Sequence, residues 1–235
     1  MFDKLKELTK DTAIYGISTM VGRFLNFILV PLYTNIFSPA DYGIIQLIYA
    51  YMAILNIVFI YGLDSAYLKF ASFKDIGDEK DNFSTPYISV FVTSLLFVLL
   101  IVVNINEIGT SLRIPSDYTY LIYLAAAILF LDTNVVIPFL KLRLDRRAKI
   151  FSLFRIINIS VNIILNVYLI IVLGWGIEAI LISNLAASAV SLILVSFTIL
   201  KNFRPKFHSL LFKRMFKFGI PFLPAGFAIM LIQVI

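Results

Sequence analysis

Cysteine is absent from the 235 residues, and histidine and tryptophan occur once each. Without cysteine the chain can form no disulfide and no zinc–thiolate site, and it has no thiol nucleophile. The single histidine, His208, argues against a histidine metal site and against a catalytic triad. Charged residues are also scarce, at 14% of the chain. The sequence therefore predicts neither a bound metal nor a cofactor.

Apolar residues make up most of what remains. They account for 60% of the sequence, and the mean hydropathy is +0.94. A water-soluble core of this length cannot hide so much apolar surface, which excludes an ordinary soluble domain. The same composition excludes a disordered chain and a collagen-like repeat. The remaining class is a membrane protein that crosses the bilayer several times.

Uninterrupted apolar runs of about 20 residues predict membrane-spanning helices, because backbone polar groups in hydrocarbon must be paired within their own segment. Six such runs lie at residues 13–37, 43–63, 87–105, 118–140, 151–173 and 177–200, and a seventh begins near Phe216. The first run is too long for a signal peptide and lacks a cleavage pattern, so it is expected to remain as a span. The predicted fold is an all-α transmembrane helix bundle.

Positive charges are concentrated in alternate connections. Lysines and arginines precede the first run and follow the second, fourth and sixth; of the 20 basic residues only Arg23, Arg113 and Arg155 lie elsewhere. Because cytoplasmic loops are enriched in lysine and arginine, these connections and the amino terminus are predicted to be cytoplasmic. Topology explains the net charge of +6 better than nucleic acid binding does, so no nucleic acid partner is expected.

The first run carries an arginine deep inside it. Arg23 lies about ten residues into the run, which is about 15 Å at the rise of an α-helix, and it shares one helix face with Tyr15, Thr19 and Asn26. An unpaired arginine at that depth costs about 3 kcal/mol, which makes Arg23 a candidate substrate-binding residue. The alternative is a structural ion pair. Asn26 is a weaker candidate on the same face.

Polar stripes at helical spacing mark three further runs. The second run offers Gln46, Tyr49 and Asn56 as candidate substrate-binding residues, in line with Tyr42. The candidates for cavity lining in the fifth run are Arg155, Asn158 and Asn162, followed by Asn166, and the sixth run has Asn184, Ser188 and Ser191 on one face. The stripes predict a polar cavity lined by the first, second and fifth helices. Hydrogen bonds between packed spans explain the asparagines and serines equally well. The third run, with few polar residues, is predicted to face lipid.

Asp132 is the only acidic residue well inside a run, about two turns from the cytoplasmic end of the fourth span. Two hypotheses account for it: a salt bridge that neutralises Arg23, or a titratable group that couples transport to protons or sodium. Arg155 lies only one turn inside its span, where its guanidinium can instead reach the lipid headgroups.

Four stretches carry a family resemblance. They are GRFLNFILVPLYTNIFSPADYG at 22–43, YGLDSAYLKF at 61–70, GWGIEA at 174–179 and FGIPFLP at 218–224. The chain resembles, in span order, the polysaccharide flippases of the MOP exporter superfamily, the Wzx-like family of O-antigen export. Of its residues, Arg23 matches the family's cationic cavity position in the first helix.

The resemblance implies a protein with two six-helix lobes around a central cavity in the bacterial inner membrane. Its cargo would be an oligosaccharide linked to undecaprenyl pyrophosphate, made for surface polysaccharide such as lipopolysaccharide. Membrane lipids and polysaccharide assembly proteins are the other expected partners. Family members are about twice as long, so an amino-terminal fragment is expected, with a six-helix lobe at 1–200 and a basic linker plus the start of a seventh helix at 201–235. A half-size protein that dimerises is the alternative.

Two rival functions are alternatives to this one. A MATE-like drug or cation exporter of the same superfamily would need a buried carboxylate for its cargo, whereas the first run presents Arg23. A membrane-embedded glycosyltransferase or ligase of the same pathway would need paired carboxylates or an acidic metal motif in a sizeable loop. The cluster of Asp78, Glu79 and Asp81 lies among lysines and is typical of a solvated loop. No enzymatic activity is predicted.

Overall fold

The computed structural model describes residues 16, 20, 29–73 and 76–234, with side chains to residue 230. Within this part of the chain all regular structure is helical. The helices are α1 (29–36), α2 (Pro39–Ile60), α3 (Leu63–Phe73), α4 (Glu79–Val103), α5 (Ile105–Ser111), α6 (Tyr120–Leu144), α7 (Ala148–Val167), α8 (Glu178–Asn202), α9 (Ser209–Gly219) and α10 (Phe222–Val234). A short 3₁₀ turn, Ser116–Tyr118, precedes α6, and a π-helical turn, Tyr168–Val172, extends α7.

Five segments of the described chain are long and apolar enough to cross a membrane. They are Pro39–Phe73, Glu79–Val103, Ser116–Leu144, Ala148–Val172 and Glu178–Asn202. These correspond to the second to sixth predicted spans, so the prediction of an all-α, multi-pass membrane protein is confirmed. The first predicted span lies mostly outside the described residues, and its described end, 29–36, is helical.

Helix α2 begins at residue 39, whereas the apolar run predicts a start at residue 43. A capping motif at residues 38–41 explains the earlier start. Ser38 Oγ accepts a hydrogen bond from the backbone N–H of Asp41 at 3.1 Å, and Pro39 occupies the first helical position. Serine at the cap, proline at the first position and an acidic residue in the first turn all favour a helix start. The earlier start puts Tyr42 inside the helix, in register with Gln46 and Tyr49.

Helix α6 lies at the centre of the bundle, packed against α2, α3, α4, α7 and α8. Its side chains at Leu121, Ile128, Ile137 and Leu142 are at most 1% exposed. Because apolar residues occupy most of its circumference, α6 is largely covered by its neighbours, while Tyr123 and a few other side chains near its ends are exposed.

Helix α4 changes environment along its length. Residues Asp81–Pro86 are buried in the bundle, whereas large apolar side chains such as Leu96, Leu99 and Val103 are exposed. Ser94, also buried, accepts a hydrogen bond from Asn134 Nδ2 at 3.1 Å. The second half of α4 therefore faces lipid, as predicted for the third run, while the buried first turns of α4 precede that run.

The predicted seventh span is divided into two helices. His208 caps α9 by accepting a hydrogen bond from the backbone N–H of Leu211 on its Nδ1, and α9 ends at Gly219, before Pro221. A proline cannot donate a backbone hydrogen bond, which explains the break before α10. Leu211 and Met215 pack on α3. Residues beyond 200 therefore contact the bundle, and the domain boundary at 200/201 stays a prediction.

Ion pairs connect the start of α4 to the ends of α6 and α8. Arg204 lies 2.9 Å from Asp78 Oδ2 and 3.4 Å from Asp81 Oδ1, and Lys141 Nζ pairs with Glu79 and Asp145. The backbone N–H of Asp81, bonded to the Asp78 carboxylate at the helix cap, lowers the pKa of Asp78. The prediction of a solvated acidic loop at 78–81 is wrong for Asp81, which is 6% exposed.

Candidate substrate-binding cavity

A cavity of about 270 Å³ lies between α1, α2, α7 and α8. Apolar side chains from three of these helices and polar side chains from all four line it. The polar lining consists of Tyr33, Tyr42, Gln46, Tyr49, Asn158, Asn162 and Asn184. The cavity thus has hydroxyl and amide groups facing a space among membrane-spanning helices.

The α2 wall of this cavity follows from helical spacing. Tyr42, Gln46 and Tyr49 are separated by four and three residues, which places them on one face. Tyr42 lies beside Tyr33 of α1, with ring centroids 6.2 Å apart. Gln46 is exposed to the cavity, and no hydrogen bond to its amide occurs within the described residues. Its amide thus faces the cavity without a hydrogen-bond partner in the described part of the chain.

Hydrogen bonds between helices hold the other cavity residues in place. Tyr33 donates through its hydroxyl to Asn166 Oδ1 at 2.8 Å, and Asn166 Nδ2 donates to the carbonyl of Asn162 at 2.9 Å. Asn184 Nδ2 donates to the Tyr49 hydroxyl at 3.2 Å. These bonds join α1 to α7 and α8 to α2.

Asn158 closes the wall between α7 and α8. Its Nδ2 donates to the carbonyl of Ala187 at 2.8 Å and to Ser191 Oγ at 2.9 Å. Asn158 and Asn184 therefore line the cavity and also bond to a neighbouring helix, so both explanations for the polar stripes apply to them.

The model of one protein family covers nearly the whole sequence. The family described as Polysaccharide biosynthesis protein matches residues 8–235. The chain belongs to this family. The match confirms the resemblance to polysaccharide flippases. No curated protein matches the sequence.

The solved structures that this chain resembles include transporters of the MOP superfamily. An outward-facing multidrug resistance MATE transporter has a TM-score of 0.73 at 15% identity, over 93% of this chain and 52% of that one. A MOP transporter from Pyrococcus furiosus Vc1, described by the reverse polarity of its binding pocket, gives 0.73 at 16% identity, over 93% and 52%. MATE in a straight conformation gives 0.72 at 16% identity, over 94% and 53%. At these identities the likeness shows the fold alone, and this chain spans about half the length of those transporters.

The structure of this family member brings four predicted site residues together. Gln46, Tyr49, Asn158 and Asn162 all line the cavity. Arg23 and Asn26 lie outside the described residues, so their place in the site stays a prediction.

Asn56 does not line this cavity, and its role in substrate binding stays a prediction. It lines a separate depression of about 430 Å³ between α2 and α10, together with Ile57 and Phe222. Asn56 follows Tyr49 by seven residues, about 10.5 Å along the helix. It therefore keeps the same face but lies beyond the reach of α7, opposite α10 instead.

Asp132 of α6 and Arg155 of α7 both lie within membrane-spanning segments, and neither is among the residues that line the cavity. Ser188 Oγ donates to Asp132 Oδ1 at 2.6 Å. The Arg155 guanidinium carbon stands 4.6 Å from the ring centroid of Phe139 and 5.7 Å from that of Phe151. Stacking over aromatic rings is favourable for a guanidinium. Arg155 is therefore not part of the wall of this cavity, and the pairing of Asp132 with Arg23 stays a prediction.

Tyr33 is the cavity residue that sequence reasoning did not select. It follows Asn26 by seven residues, which is two helical turns, so the polar stripe of the first run continues to it. A tyrosine near the end of a span is also typical of the membrane interface. The residue type alone therefore does not distinguish a tyrosine of the site from a tyrosine of the membrane interface.

Proposed function

We propose that this chain forms the first lobe of a transporter that moves an oligosaccharide linked to undecaprenyl pyrophosphate across the bacterial inner membrane. The observation that supports this function is the cavity of tyrosines and amides among the spans. Sugar hydroxyls both donate and accept hydrogen bonds, and the side chains of asparagine, glutamine and tyrosine do the same. The cavity therefore offers a glycan hydrogen-bond partners that can replace the water molecules bound to its hydroxyl groups.

The pyrophosphate needs a positive partner as well. Arg23 is the residue we propose for it, because a guanidinium binds phosphate oxygens through two parallel hydrogen bonds. In a continuous helix Arg23 would lie ten residues before Tyr33, about 15 Å from it along the axis. Glycan and phosphate would then be bound at different depths of the same lobe.

The function is tested by Gln46→Leu in the intact gene product, expressed in a strain that lacks its own copy. The substitution keeps the side-chain size and removes an amide that has no hydrogen bond within the described structure. We expect surface polysaccharide to appear about three- to tenfold more slowly, the effect of one lost hydrogen bond. The measurement is polysaccharide per cell at equal protein level.

Asn106→Leu is the matched control, since it also replaces an amide by an alkyl group, on the exposed surface of α5. We expect it to export at the wild-type rate. Wild-type export by Gln46→Leu would contradict the proposed cargo site.

The same assay tests the phosphate partner. We expect Arg23→Ala to abolish export and Arg23→Lys to retain part of it, because lysine keeps the charge and loses the paired geometry. Full activity of the alanine variant at equal expression would remove Arg23 from the site.

A drug or cation exporter is the second candidate, favoured by the carboxylate of Asp132, which accepts a hydrogen bond from Ser188, one helical turn after the cavity residue Asn184. For that function we expect Asp132→Asn to sensitise cells to cationic drugs, with polysaccharide export unchanged in Gln46→Leu. Transport rather than catalysis is proposed in both cases, because the fold is shared with transporters.

A further inference from the structure

A second, apolar cleft of about 480 Å³ opens between α2, the α4–α5 junction and α6. Its floor includes Leu55 of α2 and Ile122 and Leu129 of α6. The cleft lies among membrane-spanning helices, and an apolar cavity does not retain water. The substance available to fill such a cleft in a bilayer is a hydrocarbon chain.

The cleft has one polar end, formed by α5. Asn104, Glu107 and Ser111 line it there. Helix α5 sits at the first turn of α6, since a Cβ on Gly109 would be 3.5 Å from Thr119 Oγ1. From Ile122 to Leu129 the apolar floor then continues for seven residues, about 10.5 Å along α6. The polar end of the cleft lies at the end of the span and its apolar end lies within the span. A lipid has the same arrangement, with a polar headgroup and an apolar chain.

The charge at the polar end is negative. Among the described residues that line the cleft, Glu107 is the only charged one, and it is exposed. No hydrogen bond or ion pair engages it within the described structure. A carboxylate in this position attracts an ammonium group and repels a lipid whose head is only anionic.

We infer that this cleft binds a phospholipid with an amine headgroup, such as phosphatidylethanolamine, with one acyl chain in the cleft and its ammonium on Glu107. The site is separate from the proposed cargo cavity, because the two share no lining residue. The lipid tail of the proposed cargo is a poorer occupant, since its pyrophosphate would meet the Glu107 carboxylate.

Native mass spectrometry of the intact gene product tests the site. The protein is purified in detergent and mixed with equal amounts of phosphatidylethanolamine and phosphatidylglycerol that carry identical acyl chains. We expect the first bound lipid to be phosphatidylethanolamine by about three- to fivefold, the range of a good exposed ion pair. Glu107→Gln should bring the ratio to about one. Asp117→Asn, on the exposed 3₁₀ turn outside the cleft, should leave it unchanged.

A second pair of variants tests the cleft itself. Ser111→Trp places a large ring at the mouth and should lower binding of both lipids, whereas Thr110→Trp, exposed next to it but outside the cleft, should not. Equal binding of the two lipids by the wild type would overturn the inference. So would a phosphatidylethanolamine preference that survives in Glu107→Gln, or displacement of both lipids by undecaprenyl phosphate alone. None of these outcomes depends on polysaccharide export, so the two proposals can fail separately.

Discussion

Tyr33 ties the described end of α1 to α7 through one hydrogen bond, to Asn166 Oδ1 at 2.8 Å. Asn166 is fully buried, and its Nδ2 is already bonded to the carbonyl and the side chain of Asn162. The oxygen of a buried amide that loses its donor has no water to replace it. The Tyr33 hydroxyl is therefore expected to contribute more to the free energy of unfolding than a hydroxyl on the surface does.

We expect Tyr33→Phe to lower the free energy of unfolding by about 1–3 kcal/mol, the cost of one unsatisfied buried acceptor. The matched control is Tyr123→Phe, because Tyr123 is exposed and has no hydrogen bond within the described residues. The melting temperature of each variant in detergent measures the difference. Equal melting temperatures would mean that the Tyr33 bond contributes nothing to stability.

Two interruptions of the helices face each other. Between α2 and α3 the chain turns through Tyr61 and Gly62, both with positive φ, 38° and 75°. Gly219, at the end of α9, lies against this turn so closely that a Cβ there would be 2.8 Å from the carbonyl oxygen of Gly62. Two backbones approach this closely only where side chains are absent. The junction fixes where α10 starts relative to α2.

We expect Gly219→Ala to lower the free energy of unfolding by about 1–3 kcal/mol, because the added methyl group collides with backbone that cannot move aside. Gly43→Ala is the matched control: Gly43 lies in α2, and no atom of the described residues is within 4 Å of its Cβ position. Alanine in a helix is favoured over glycine, so this control should be neutral or stabilising. A Gly219→Ala variant as stable as the wild type would show that the junction can relax.

The lack of cysteine makes the topology of the whole molecule directly measurable with single-cysteine variants. With the amino terminus cytoplasmic, as we propose, a membrane-impermeant thiol reagent should label Thr110→Cys in intact cells. It should label Lys149→Cys only after the cells are opened. Both positions are exposed, unlike the buried neighbour Ala148. The opposite labelling pattern would reverse the proposed orientation.

Sequence predicted the features that depend on one helix at a time. Apolar runs predict the spans, because backbone polar groups in the hydrocarbon layer must be hydrogen-bonded within their own segment. Helical spacing predicts that Gln46 and Tyr49 share a face. Which helix that face meets depends on packing between segments distant in sequence. For this reason the sequence does not show that Asn56 lies opposite α10, or that Arg155 stacks on aromatic rings. The contact of Gly62 with Gly219 was missed for the same reason.

Most polar groups around the proposed cargo space are already bonded to one another, as Asn184 is to Tyr49 and Asn158 is to Ser191. An arriving sugar would exchange partners with them rather than satisfy empty groups, and each exchange is worth only about 0.5–1.5 kcal/mol. Such a wall would bind the proposed glycan weakly and would tolerate many sugar orders and linkages. Weak binding would suit a transporter, because a cargo that binds on one side of the membrane must be released on the other.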